Sequence, residues 1–205
     1  MKLKRFFIIT AIIGVLTASF TSASSQEKVD PATQQEMMAE YMKLAVPGPE
    51  HALFGPLVGT WNMDIKVWMQ PGAEPMVFSG TSENKMVLGD RFLEMDSKSG
   101  EGDMYTETYS LFGFDRRHKK YVAVMLDTWG TYFVTAFGGF NEATKTLSLS
   151  GEDDDPIMKR MQEFDFNFTI QSPDKFVYES IFKNFPMPEG IQKEYKMLEI
   201  TYTRK

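Results

Sequence analysis

From Trp61 to Met69 the odd positions read Trp61, Met63, Ile65, Val67 and Met69, while Asn62, Asp64, Lys66 and Trp68 fill the even ones. Successive side chains of a strand point to opposite faces, so this alternation predicts a strand with one buried face. Trp61 opens the buried stripe, and Trp68 is expected on the outward side. Gly59, just before it, lets the backbone turn closely into the strand. The pattern recurs downstream: Phe164, Phe166, Phe168 and Ile170 make a second stripe, and Leu198, Ile200 and Tyr202 a third. Ten strands are expected, at about 58–69, 76–88, 91–98, 104–114, 120–127, 130–139, 145–151, 161–171, 175–184 and 194–203.

The stretches between them carry turn residues, among them Pro71-Gly72, Gly89-Asp90, Asn141-Glu142, Ser172-Pro173-Asp174 and Pro186-Met187-Pro188-Glu189-Gly190. Short connections make successive strands antiparallel, and no helical period interrupts the series as a parallel arrangement requires. The fold class expected is all-β. An antiparallel up-and-down meander of about ten strands removes its exposed edges by closing into a barrel wide enough to hold a cavity. One short helix precedes it, with Asp30 as N-cap, Pro31 in its first turn, and Met37, Met38, Tyr41, Met42 and Leu44 at helical spacing before Pro47-Gly48-Pro49. Its methionine stripe is read either as packing on the domain or as a partner-binding surface.

The first residues change the compartment. Lys2, Lys4 and Arg5 precede an apolar run from Phe6 to Ala18 and small residues up to Ala23, the layout of a secretory signal peptide over residues 1–23. The run is shorter than the roughly 20 residues a membrane span needs. The domains expected are therefore a leader at 1–23, a segment with a short helix at 24–48, and one barrel at 49–205, exported to the periplasm or the medium. Cleavage removes three of the 22 basic side chains, leaving 19 against 28 acidic ones, and shifts the formal charge from -6 to -9. An anionic body of this kind disfavours nucleic acid and stable membrane insertion as partners. Cysteine is absent, which excludes disulfides, a thiolate nucleophile and cysteine metal sites.

The Gly59-Thr60-Trp61 opening of a meander resembles the calycin superfamily, the lipocalin and fatty-acid-binding-protein barrels. A longer set of matches adds Pro49-Glu50-His51, Leu88-Gly89-Asp90-Arg91-Phe92-Leu93, Gly113-Phe114-Asp115, Asp127-Thr128-Trp129-Gly130-Thr131, Asp154-Asp155-Pro156 and the terminal Leu198-Glu199-Ile200-Thr201-Tyr202. Together these resemble the bacterial domain-of-unknown-function family numbered fifteen seventy-nine, over about residues 49–205. The resemblance implies a calycin-like barrel and brings no activity, substrate or catalytic residue with it. The family pattern often has two glycines before the position of Arg91, where this chain has Gly89-Asp90.

Candidate chemistry is sparse. His118 sits among Arg117, Lys119 and Lys120 in an expected hairpin turn, and His51, with no carboxylate at ligand spacing, reads as a capping or packing residue. With no histidine in the later strands, a haem site is disfavoured. Glu152-Asp153-Asp154-Asp155 lacks the ligand alternation of a calcium loop and reads as a solvated turn closed by Pro156. Gly100-Glu101-Gly102-Asp103-Met104-Tyr105 has Tyr105 where a dinucleotide loop needs glycine. No cofactor or metal is expected.

One constellation points to a site. If the third strand buries Leu93 and Met95, Arg91 shares their face and points inward, where a guanidinium clamps a carboxylate head group while Trp61, Phe166 and Phe168 hold an apolar tail. Alternatively Asp127 is its internal partner and the pair is structural. Three function classes follow: a carrier of a small apolar or amphipathic ligand, which leads; an enzyme using pocket carboxylates without a motif; and a structural or interaction module with a filled barrel.

Overall fold

The computed structural model describes residues 30–186 and 192–205. The leader expected at 1–23 and most of the turn expected at 186–190 lie outside the described residues. Helix α1 (Pro31–Leu44) starts at Asp30, whose carboxylate accepts the Ala32 N–H at 2.8 Å, as expected of an N-cap. The compact unit Glu40–Lys205 contains a 3₁₀ helix (Pro49–Leu57) and ten strands: β1 (Gly59–Val67), β2 (Met76–Val87), β3 (Phe92–Ser99), β4 (Thr106–Asp115), β5 (Lys120–Asp127), β6 (Val134–Asn141), β7 (Thr146–Asp155), β8 (Arg160–Ser172), β9 (Lys175–Pro186) and β10 (Gln192–Arg204). Each strand pairs antiparallel with its sequence neighbour, and β10 returns to β1 to close the barrel. At the closure Trp61 stands opposite Arg204 and Val67 opposite Leu198.

Alternation places the core as the sequence predicts. Trp61, Met63 and Ile65 of β1, Phe164, Phe166 and Phe168 of β8, and Ile200 and Tyr202 of β10 are all buried in one cluster. The end where β1 begins is plugged. Phe54 and Leu57 of the 3₁₀ helix are buried there, and the Leu57 carbonyl accepts both Trp61 Nε1–H and an Asn84 Nδ2–H at 2.9 Å. The Trp61 indole meets Phe176 edge-on, with ring centres 4.7 Å apart, and the Arg204 guanidinium carbon lies 4.3 Å from the Trp61 ring centre. Arg204 also donates to the carbonyls of Pro56, Val58 and Pro173, so it ties the last strand to the first. Gly59 has φ +130°, a conformation that side chains rarely adopt, so the glycine is required by conformation, and Arg204 Nη1 occupies the space where a Cβ would stand, 2.5 Å away.

Several local expectations are corrected. The acidic run Glu152–Asp155 is not a turn. It finishes β7, paired residue for residue with Arg160–Glu163, and the turn follows at 156–159, where Asp155 Oδ1 accepts the N–H groups of Ile157 and Met158 at 2.9 Å. Strand β6 begins at Val134 rather than 130, so Trp129–Phe133 form a loop. Trp68 lies beyond the end of β1 instead of on its outward face. It is half-buried, with Lys196 Nζ 5.3 Å from its ring centre.

Candidate functional site

Above the aromatic plug the barrel is hollow. A cavity of about 570 Å³ runs from Met63, Met95, Phe112 and Tyr202 toward the opposite end, where Trp68, Met69, Trp129 and Tyr132 line its mouth. The alternation that builds the core also builds this chamber. Many inward positions carry large rings, whereas β3, β4 and β9 turn Ser97, Ser110 and Ser180 inward and leave volume unfilled. Phe166 and Phe168 form part of the wall, packed around Tyr178 with ring centres 5.9 and 4.6 Å away, and Phe168 meets Phe112 edge-on at 4.9 Å.

The polar groups near the floor are satisfied in a chain. Ser97 Oγ donates to Ser82 Oγ at 2.8 Å, Ser82 Oγ donates to Asn84 Oδ1 at 2.6 Å, and Asn84 ends on the Leu57 carbonyl. Buried hydroxyls and amides are retained at little cost only when paired in this way. Tyr178 and Tyr202 line the chamber, the Tyr178 hydroxyl beside Ser180 and donating to Met125 Sδ at 4.0 Å, the Tyr202 hydroxyl beside Ser97. Burial pushes both phenols well above the ordinary tyrosine range, and nearby Tyr202 adds to the effect on Tyr178. They are neutral hydrogen-bonding groups inside a largely apolar chamber.

The residues singled out from the sequence separate in space. Phe166, Phe168 and Asp127 line the cavity. Trp61 is buried in the plug beneath it and is not part of the lining. Arg91 is not inward. It precedes β3 and folds back under the turn, where Nη1 donates to the Leu88 and Gly89 carbonyls at 3.0 and 3.1 Å and Nε donates to the Ala45 carbonyl at 3.0 Å. The physical reason lies in the turn. Leu88, Gly89 and Asp90 all have positive φ, so the strand's alternation does not extend back to position 91. Nor do Arg91 and Asp127 form a pair. Asp127 sits at the mouth, where its Oδ1 accepts the Trp129 N–H at 2.8 Å.

His51 caps and packs: its Nδ1 accepts the Gly48 N–H at 3.1 Å and its ring meets Phe54 and Phe114 edge-on. His118 is exposed and bonds Asp115 at 2.8 Å. Among the described residues no group of three or more metal-ligating side chains comes together. Sequence reasoning missed Tyr178, Ser180, Ser110 and Tyr132. The first two share the inward phase of Phe176 and Phe182 on β9, and small polar residues in an inward phase are the signal of unfilled space.

No curated protein matches the chain. Among solved structures, a redesigned beta barrel matches over 74% of this chain and 93% of its own length, with 12% sequence identity and a TM-score of 0.34. The model of one family matches residues 46–204, from the segment before the 3₁₀ helix to the end of β10. The chain accordingly belongs to the family described as Protein of unknown function (DUF1579).

Proposed function

We propose that this protein is a calycin-like carrier that binds a small apolar or amphipathic molecule inside its barrel, acting in the periplasm or medium after removal of its leader. The observation that carries this reading is the chamber itself. Its volume of about 570 Å³ falls within the roughly 300–1,000 Å³ of small-molecule sites. Phenylalanine, methionine and isoleucine side chains wall it, and burying a ligand against them is worth roughly 25 cal/mol per Å² of apolar area removed from water. Phe166 and Phe168 are the tail contacts, and the Tyr178 and Tyr202 hydroxyls offer hydrogen bonds to a neutral polar group.

Arg91, committed to three backbone carbonyls outside the chamber, has no part in this reading as a head-group clamp. Among the described residues Asp127 is the only carboxylate lining the cavity, which favours binding over chemistry by paired carboxylates. The test is titration of the folded protein with the uncharged fluorophore N-phenylnaphthylamine. Saturable binding with one site per chain is expected. A folded protein that gives no saturable signal overturns the carrier reading.

A further inference from the structure

We propose that the mouth of the chamber selects organic cations: ligands whose protonated or quaternary amine rests beside Asp127 while their apolar body fills the barrel. This deepens the carrier reading and rests on it. Three observations carry it.

The first is charge. Asp127 is the only formally charged side chain lining the cavity among the described residues. It is the exposed last residue of β5, follows Tyr121, Ala123 and Met125 in the strand's inward phase, and lines the cavity at its mouth. Its Oδ1 accepts one backbone N–H, from Trp129, and no ion pair within the described residues neutralises it. The basic groups toward this end are committed elsewhere: Lys98 pairs with Glu107 at 3.8 Å and Lys183 with Asp165 and Glu194 at 3.1 and 2.7 Å. Lys196 lies between Glu179 and Glu199 against the Trp68 ring, and Arg91 is at the other end of the barrel.

The second is the aromatic frame. Ring faces attract cations, most strongly where water is partly excluded. Trp129 and Tyr132 line the mouth on the same loop as Asp127. Trp129 is anchored, its Nε1 donating to Thr106 Oγ1 at 2.5 Å, and the Tyr132 ring lies so close over Gly130 that a Cβ there would stand 2.4 Å from it. A loop that brings two exposed rings to the same mouth as an unpaired carboxylate has the chemistry of an ammonium site.

The third is the chain's formal net charge, -6 with the leader and -9 once residues 1–23 are removed, which favours approach of cations over anions.

The experiment displaces N-phenylnaphthylamine with three competitors of one chain length, dodecyltrimethylammonium, dodecanol and dodecanoate, each below its micelle threshold. Wild type and Asp127→Asn are compared; asparagine keeps the Oδ1 acceptor that holds Trp129 N–H. Wild type is expected to bind the ammonium about tenfold more tightly than the alcohol, with the carboxylate weakest. Asp127→Asn should bring the ammonium down to the alcohol's level and leave the alcohol unchanged. Tyr132→Ala, which removes an aromatic face from the mouth, should weaken the ammonium more than the alcohol. Equal binding of ammonium and alcohol by wild type, or a preference that survives Asp127→Asn, overturns the cation inference while the carrier reading stands. Failure of the neutral probe and the alcohol to bind at all overturns both.

Discussion

Trp61 carries three kinds of interaction at once: burial of a large ring, a hydrogen bond to the Leu57 carbonyl and the stacked Arg204 guanidinium. Truncation to alanine removes all three and opens a void between β1 and the 3₁₀ helix. Trp61→Ala should cost about 3–5 kcal/mol in denaturant melts, as large aromatic deletions from cores do. Trp68→Ala, at a half-buried position past the strand end, should cost far less, and equal losses would show that the plug is not where the stability resides. A second residue-scale expectation concerns pH. Tyr178 and Tyr202 hold their protons in the folded barrel to higher pH than in the unfolded chain, where tyrosine ionises near pH 10. Their contribution is therefore full below about pH 10 and is lost as pH rises further, because the unfolded state releases protons that the folded state keeps. Tyrosinate absorbance should show two phenols that ionise only when the barrel unfolds. Trp61 was legible from alternation alone. Its partner Arg204 was not, because no local pattern says which residue of the last strand closes on the first.

At the scale of the elements, alternation reads correctly inside strands and fails at their ends. Arg91 shares the parity of Leu93 and Met95, but three left-handed residues before it break the pleat, and the guanidinium becomes the fastener of its own turn. Arg91→Met should therefore cost about 1 kcal/mol through lost hydrogen bonds to carbonyls, with binding of a neutral probe unchanged. A large loss of binding with stability intact would restore an inward role for Arg91. The acidic end of β7 was illegible for a related reason. Glu152–Asp155 have no apolar period, and they are strand because β8 offers Arg160–Glu163 as ladder partners, a fact of pairing rather than of composition. The 130–133 stretch, expected as the start of a strand, errs in the opposite direction. Its aromatic and β-branched residues suit a strand by propensity, yet they form the loop that brings Trp129 and Tyr132 to the mouth.

On the scale of the whole barrel, one end is sealed and the other is open, and the same inward phase serves both. Ten antiparallel strands were legible because each carries its own alternation and turn, while the chamber was only an allowed outcome. Whether a barrel is filled depends on how side-chain volumes sum across strands far apart in the sequence. Ser97, Ser110 and Ser180 supply the deficit here. Filling it tests the account. Ser110 stands between Met95 of β3 and Met125 of β5, and it faces the void. In Ser110→Leu the added methyl groups enter empty space rather than a packed wall, so the overpacking penalty that such changes carry in a full core does not arise. New apolar contacts form where the natural protein has none. The variant should gain about 1 kcal/mol, which for a chain of this size raises the melting temperature by about 2–4 °C. It should also lose at least about tenfold in affinity for N-phenylnaphthylamine, because the ligand's volume is already taken. A ligand that stabilises the natural protein by mass action should raise the melting temperature of the variant much less at the same concentration. Destabilisation of Ser110→Leu with probe binding retained would mean that Ser110 faces packed protein and that the ligand sits elsewhere.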